Sequence, residues 1–220
     1  MSESPDQPRV RRILDPIDRY SEVLFGLYMV LTFTGTLSVT SAGDEGVRTM
    51  LIAAIGCNTA WGFVDAMMYV LRNMVARGGW AQLVRQVQAD PSPQIAHRLI
   101  TEELGPLAAG LDANGIESLR RWLQAQPTPP RHMSATRDDL LGALAVFLLV
   151  LGSTFPVVLP FLFMSDLRMA MRVSGAIAIA IVFFCGFAWG RYAGAPPWRA
   201  GIVMVLIAAV IQAVVILLGG

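Results

Sequence analysis

The sequence predicts an all-α integral membrane protein, a bundle of five transmembrane helices interrupted by a small helical cytoplasmic insert. Three observations carry this prediction. Of 220 residues, 55% are hydrophobic and 15% charged, and the mean hydropathy of +0.55 is too apolar for a soluble domain of that length. A window of ~20 residues, the length a hydrocarbon core demands, picks out apolar segments at about 23–41, 49–74, 140–164, 170–190 and 199–218. Between the second and third lies a polar stretch in which apolar residues recur at helical spacing. The chain thus divides into 1–75 (an N-terminal segment and spans 1 and 2), 76–138 (the insert) and 139–220 (spans 3 to 5).

The first span follows DRYSE directly and lacks both a basic run leading into a short apolar core and an A-x-A-like site, so it is expected to be retained rather than cleaved. The second carries its few polar groups in the stretch WGFVDAMMYVLRNM, 61–74. The insert reads as three helices. GGWAQLVRQVQAD, 78–90, places Trp80, Leu83 and Val87 on one face. DPSPQIAHRLITEEL, 90–104, opens with Asp90 or Ser92 as cap and a proline in the first turn, and NGIESLRRWLQAQ, 114–126, follows an Asn-Gly turn. PTPPRH, 127–132, is a stiff linker back to the membrane. In the third span Pro156 and Pro160 each remove a backbone donor and free carbonyls around Gly152 and Pro156, which Ser153 and Thr154 are placed to satisfy. In the fourth, Gly186 and Gly190 form a G-x-x-x-G spacing suited to close helix packing.

All seventeen basic residues are arginines, and their placement orients the bundle. Arg9, Arg11, Arg12 and Arg19 precede the first span, the group from Arg72 to Arg137 lies between the second and third, and Arg191 and Arg199 flank the loop between the fourth and fifth. The positive-inside rule makes that side cytoplasmic, with the N-terminus in and the C-terminus out. The opposite side has Arg48, Arg168 and Arg172 beside Asp44, Glu45 and Asp166. Cys57 and Cys185 fall in apolar segments and offer neither a disulfide framework nor a metal motif.

The chemistry-bearing residues are few. Asp65 stands inside the second span, where a charge costs several kcal/mol and marks a candidate functional site unless a partner neutralises it. Arg72, about two helical turns on, is such a partner, so both readings stand. Asn58, Asp65, Met68 and Arg72 recur along one stripe of this helix, and Glu22, Gly26 and Met29 form another on the first. Carboxylate, amide and thioether groups on facing stripes suit a divalent cation. Each also has a plainer reading: the methionines as core packing, Glu22 as a complement to the helix dipole. No nucleophile and base pair or phosphate loop points to an enzyme, and nothing points to nucleic acid.

The order of two spans, a helical insert and three spans, together with GALAVFLLVLGSTFPVVLPFLF at 142–163, the Arg- and Gly-bearing loop after SGAIAIAIVFFCGFAWGRYAG and the Gly-rich last helix, resembles the vacuolar iron transporter family. Ser21 to Gly26, SEVLFG, is similar to that family's charged lead into Phe-Gly. Where the family places an Asn-Asp pair next, this chain has Leu27, Tyr28 and Met29. Where the family's second span has Gly-Glu-Tyr, it has Gly62-Phe63-Val64 with Asp65 two residues late. Its insert offers only Glu102, Glu103, Glu117 and His97, without a Glu-x-x-His pair, and is not expected to store iron.

The resemblance implies a homodimeric transporter of a divalent cation, ferrous iron or manganese, moved out of the cytoplasm with proton coupling and with no permanently bound cofactor. It places the protein in a bacterial inner membrane. The candidate metal-binding residues are Asp65, Glu22, Met68, Met29 and Asn58. The missing first-helix carboxylate leaves a second expectation, a non-transporting scaffold or regulatory protein of the same fold.

Overall fold

The computed structural model describes residues 14, 16–39, 44–89 and 92–218, with side chains omitted at 16, 33–39 and 44–46. Its elements are α1 (Pro16–Val39), α2 (Asp44–Ala89), α3 (Pro93–Leu104), a 3-10 turn (Gly105–Gly110), α4 (Ala113–Gln124), α5 (Arg137–Phe163), α6 (Leu167–Tyr192) and α7 (Pro197–Leu217). No strand occurs among the described residues. Four helices, α2 from Val47 on, α5, α6 and α7, are long and apolar enough to cross a membrane. The first expected span falls within α1, its last residues, 40 and 41, lying outside the described ones.

The chain divides into two compact units, one formed by the described residues through Tyr69 together with those from Asp138, the other by Val70–Arg137. In the first unit α1 contributes the centre of the core. Leu24, Leu27 and Val30, one α1 face, are buried with Ala54 of α2, Val157 of α5, Ala178, Val182 and Cys185 of α6 and Ala208 of α7. Small residues on α6 and α7 are the reason these helices approach so closely. A Cβ on Gly186 would sit 2.7 Å from Met204 Cγ and 2.9 Å from the Ala200 carbonyl, and one on Gly190 would sit 2.6 Å from Ala200 Cβ. The G-x-x-x-G face is thus spent on the neighbouring helix of the same chain. Gly194, at φ 70°, makes the turn between them.

The prolines do not break α5, which runs unbroken past Pro156 and Pro160. The hydroxyls assigned to the freed carbonyls bond elsewhere. Ser153 Oγ donates to the Val150 carbonyl at 2.7 Å, and Thr154 receives a bond from α2. Ser174 of α6 donates to the Val157 carbonyl at 2.7 Å, tying the two helices together.

The second unit departs from the expected boundary. The break expected between a span ending near 74 and an insert helix starting near 78 is absent, because α2 continues through Gly78-Gly79 to Ala89. Each glycine costs about 1 kcal/mol relative to alanine in a helix, but the apolar positions carry on at helical spacing. Leu83, Val84 and Val87 are buried against Ala96 and Ile100 of α3 and Leu123 of α4. Trp80 leaves the buried face and is 46% exposed, its ring 5.9 Å from that of Trp122.

Capping chemistry sets the ends of the short helices. Ser92 precedes α3 in extended backbone without a side-chain cap bond, and Pro93 opens the helix. Gly105, at φ 54°, closes it. Asn114-Gly115 is not a turn before α4 but part of its first turn. Asp112 is the cap, its carboxylate accepting from the Gly115 amide at 2.7 Å. The linker that follows is strapped to α2, since Arg85 donates to the Pro130 carbonyl at 2.7 Å and Arg77 to the Ser134 carbonyl at 3.2 Å.

Glu117 joins α3 to α4. It accepts two bonds from Arg120, at 2.8 and 2.7 Å, one from Arg121 at 3.0 Å, and meets His97 Nε2 at 2.9 Å. The hydrogen bonds from Arg120 first, then from His97, hold its carboxyl well below the usual carboxylate range.

Two predictions follow from this packing. Gly190→Val should destabilise the bundle by about 1–3 kcal/mol through overpacking, whereas Gly175→Ala, with nothing within 4 Å of the added carbon, should not; thermal unfolding in detergent separates them. For Glu117, the folded carboxyl is the more acidic, so its contribution is complete above the unfolded value of about 4.3 and is lost as pH falls toward the folded one. The protection of amides 93–124 in the intact chain, measured against their intrinsic exchange rates at each pH, should therefore stay high above about pH 5 and fall below that, and Glu117→Gln should lower it at neutral pH.

Candidate functional site

Polar residues inside an apolar bundle are the natural candidates, and of those the sequence singles out as ligands Asn58 is the most deeply placed, with no exposure at all. It reaches across to α1, to the backbone carbonyl of Gly26. A Cβ there would collide with Ser153 Oγ and come within 2.5 Å of the Val150 carbonyl, so α1 and α5 meet backbone to backbone at this level. Asn58 Nδ2 donates to the Gly26 carbonyl at 3.1 Å and to Thr154 Oγ1. One amide therefore ties α1, α2 and α5 together. Its Oδ1 is buried with no partner among the described residues.

The other four sequence candidates occupy different surroundings. Glu22 and Met29 are half-buried on α1, one turn either side of Gly26, and Glu22 has an interaction of its own. Asp65 is half-buried on α2 and makes no hydrogen bond or ion pair among the described residues, while Arg72, its proposed neutralising partner, is engaged in an interaction. Met68 is 56% exposed and Met67 is exposed as well. Ten residues at 3.6 per turn put Met68 about 80° from Asn58 around the helix, enough to turn it off the packed face. None of Glu22, Met29, Asp65 and Met68 bonds to another of them.

Among the described residues no group of three or more His, Cys, Asp or Glu side chains could hold a metal ion. A cation at this level would have to draw on Asn58 Oδ1, single carboxylates and backbone carbonyls. Sequence reading passed over two further polar groups. The Tyr28 hydroxyl and both amide atoms of Gln212 are buried without a partner among the described residues. Gln212 is visible in the sequence as the lone amide of the last span, whereas Tyr28 registers only as a departure from the family pattern.

Asn58→Leu should remove the bridge while leaving the Gly26 carbonyl and the Thr154 hydroxyl buried. A loss of about 1–2 kcal/mol is expected, in the range for interhelical hydrogen bonds within membranes. Equilibrium unfolding in mixed micelles measures it, and Thr154→Val combined with Asn58→Leu should cost less than the sum of the two.

No family model matches the sequence, and the search of curated proteins returns no match.

Proposed function

We propose that this chain is an integral membrane protein of five spans that moves a divalent cation, ferrous iron or manganese, out of the cytoplasm, in keeping with its resemblance to the vacuolar iron transporters. Asp65 carries this reading. A carboxylate within a helix long and apolar enough to cross a membrane, half-buried and without an ion pair among the described residues, is costly unless an ion visits it. Carboxylate oxygen is also the donor that hard divalent ions prefer. Glu22 and Met29 on α1, Asn58 on α2 and Met68 at its outer edge are the groups assigned to the rest of the path. A homodimer in a bacterial inner membrane, with the N-terminus inside, belongs to the same proposal.

A second reading, a non-transporting scaffold or regulator, is favoured by a separate observation. The described residues hold no group of three metal-binding side chains, and Asn58 is occupied in joining helices.

Flux measurements decide between them. Purified protein in liposomes loaded with a metal-sensitive dye should take up iron or manganese above empty vesicles, and Asp65→Asn should reduce uptake at least about tenfold while the protein still elutes as a folded species. Charge removal with retained shape is the basis of that expectation. No uptake of iron, manganese, cobalt or zinc by the unaltered protein would leave the scaffold reading.

A further inference from the structure

At the end of the bundle where α2 begins, α5 ends and α6 starts lies a cavity of about 620 Å³. That volume is within the range of small-molecule sites. Its long wall is one face of α2, where Arg48, Leu51, Ile52 and Ile55 follow at three- and four-residue spacing, and Val158 and Leu162 of α5 face them. Ser165, in the loop after α5, is at the rim.

Among the described lining residues Arg48 is the only charged one. It is exposed and makes no ion pair among the described residues. Asp166, in the loop after α5, accepts at its Oδ1 from the amides of Arg168 at 2.9 Å and Met169 at 3.4 Å and caps α6.

A guanidinium at the mouth and aliphatic walls beneath it describe an amphipathic anion. An inorganic anion would leave the walls bare, and a neutral chain would make no use of the guanidinium. The position also fits. The ends of α2, α5 and α6, three helices long and apolar enough to cross a membrane, are where lipid headgroups lie, and a row running from Arg48 to Ile55 covers about 10 Å toward the helix middle. We propose that this cavity binds an anionic phospholipid, its phosphate on the Arg48 guanidinium in the geometry arginine favours and one acyl chain laid along Leu51, Ile55, Val158 and Leu162. This site is independent of any ion path through the bundle.

The test uses the full chain in a nonionic detergent with equal amounts of phosphatidylglycerol and phosphatidylcholine, with retained lipid identified by native mass spectrometry. The unaltered protein should keep phosphatidylglycerol in preference. Arg48→Gln should lower its retention at least about tenfold, the scale of a lost charge-assisted contact. Because Arg48 is exposed and makes no ion pair among the described residues, that variant should keep its helical circular dichroism. Ile55→Trp, which fills the groove without touching the charge, should also lower retention. Equal retention of both lipids, retention of neither, or undiminished phosphatidylglycerol binding by Arg48→Gln would each overturn the site.

Discussion

Within a hydrocarbon core no water is present to satisfy a polar group, so each buried donor must find its acceptor on another helix or its own. Asn58 meets that requirement with its two amide protons, one to the Gly26 carbonyl and one to Thr154 Oγ1. The geometry forces several other features. Gly26 has no side chain, and that lets α1 meet Val150 and Ser153 of α5 at the level of the amide. With α1 held there, Leu27 and Val30 present their face to Val182 and Cys185 of α6 and Ala208 of α7. The close pairing of α6 and α7 through Gly186, Gly190 and Gly201 then gives α1 a continuous surface to lie on.

The apolar segments beyond the first loop were plain in the sequence because runs of twenty residues with few charges have few alternatives. Boundaries were harder, for identifiable reasons. Gly78-Gly79 reads as a break, but a helix tolerates two glycines when buried residues follow them at helical spacing, as Ala81, Val84 and Val87 do. Asn114-Gly115 carries a strong local turn signal, yet Asp112, in extended backbone with its carboxylate on the Gly115 amide, starts the helix two residues earlier. Trp80 has the right spacing for the core but pairs with Trp122 at the surface. At Gly78-Gly79 and Trp80 a tertiary contact prevails over the local pattern, and at Asn114-Gly115 one local signal, the Asp112 cap, prevails over another.

The candidate site was less legible, and helix geometry says why. A polar stripe drawn through Asn58, Asp65 and Met68 treats ten residues as a whole number of turns, and the error of about 80° is the difference between the buried amide and the exposed thioether. Periodicity also cannot show which polar group already has a partner. Asn58, nominated as a ligand, spends its donors on α1 and α5. Glu117 of the insert, nominated for nothing, gathers Arg120, Arg121 and His97 around one carboxylate.

The polar groups of the bundle fall into a sequence of increasing cost. Hydroxyls are cheap, because Ser153 donates to a carbonyl of its own helix and Ser174 to one of its neighbour. Amides are dearer, and Asn58 is satisfied on its donor side alone while Gln212 is left with both atoms unpartnered among the described residues. A carboxylate is dearest of all, since desolvating its charge exceeds the penalty of any neutral group. Asp65 is half-buried and joins no helix to another among the described residues, so helix packing does not account for it as it does for Asn58. The two residues share a helix and lie seven positions apart. One is explained by the architecture, and the other is the residue on which the proposed ion path rests.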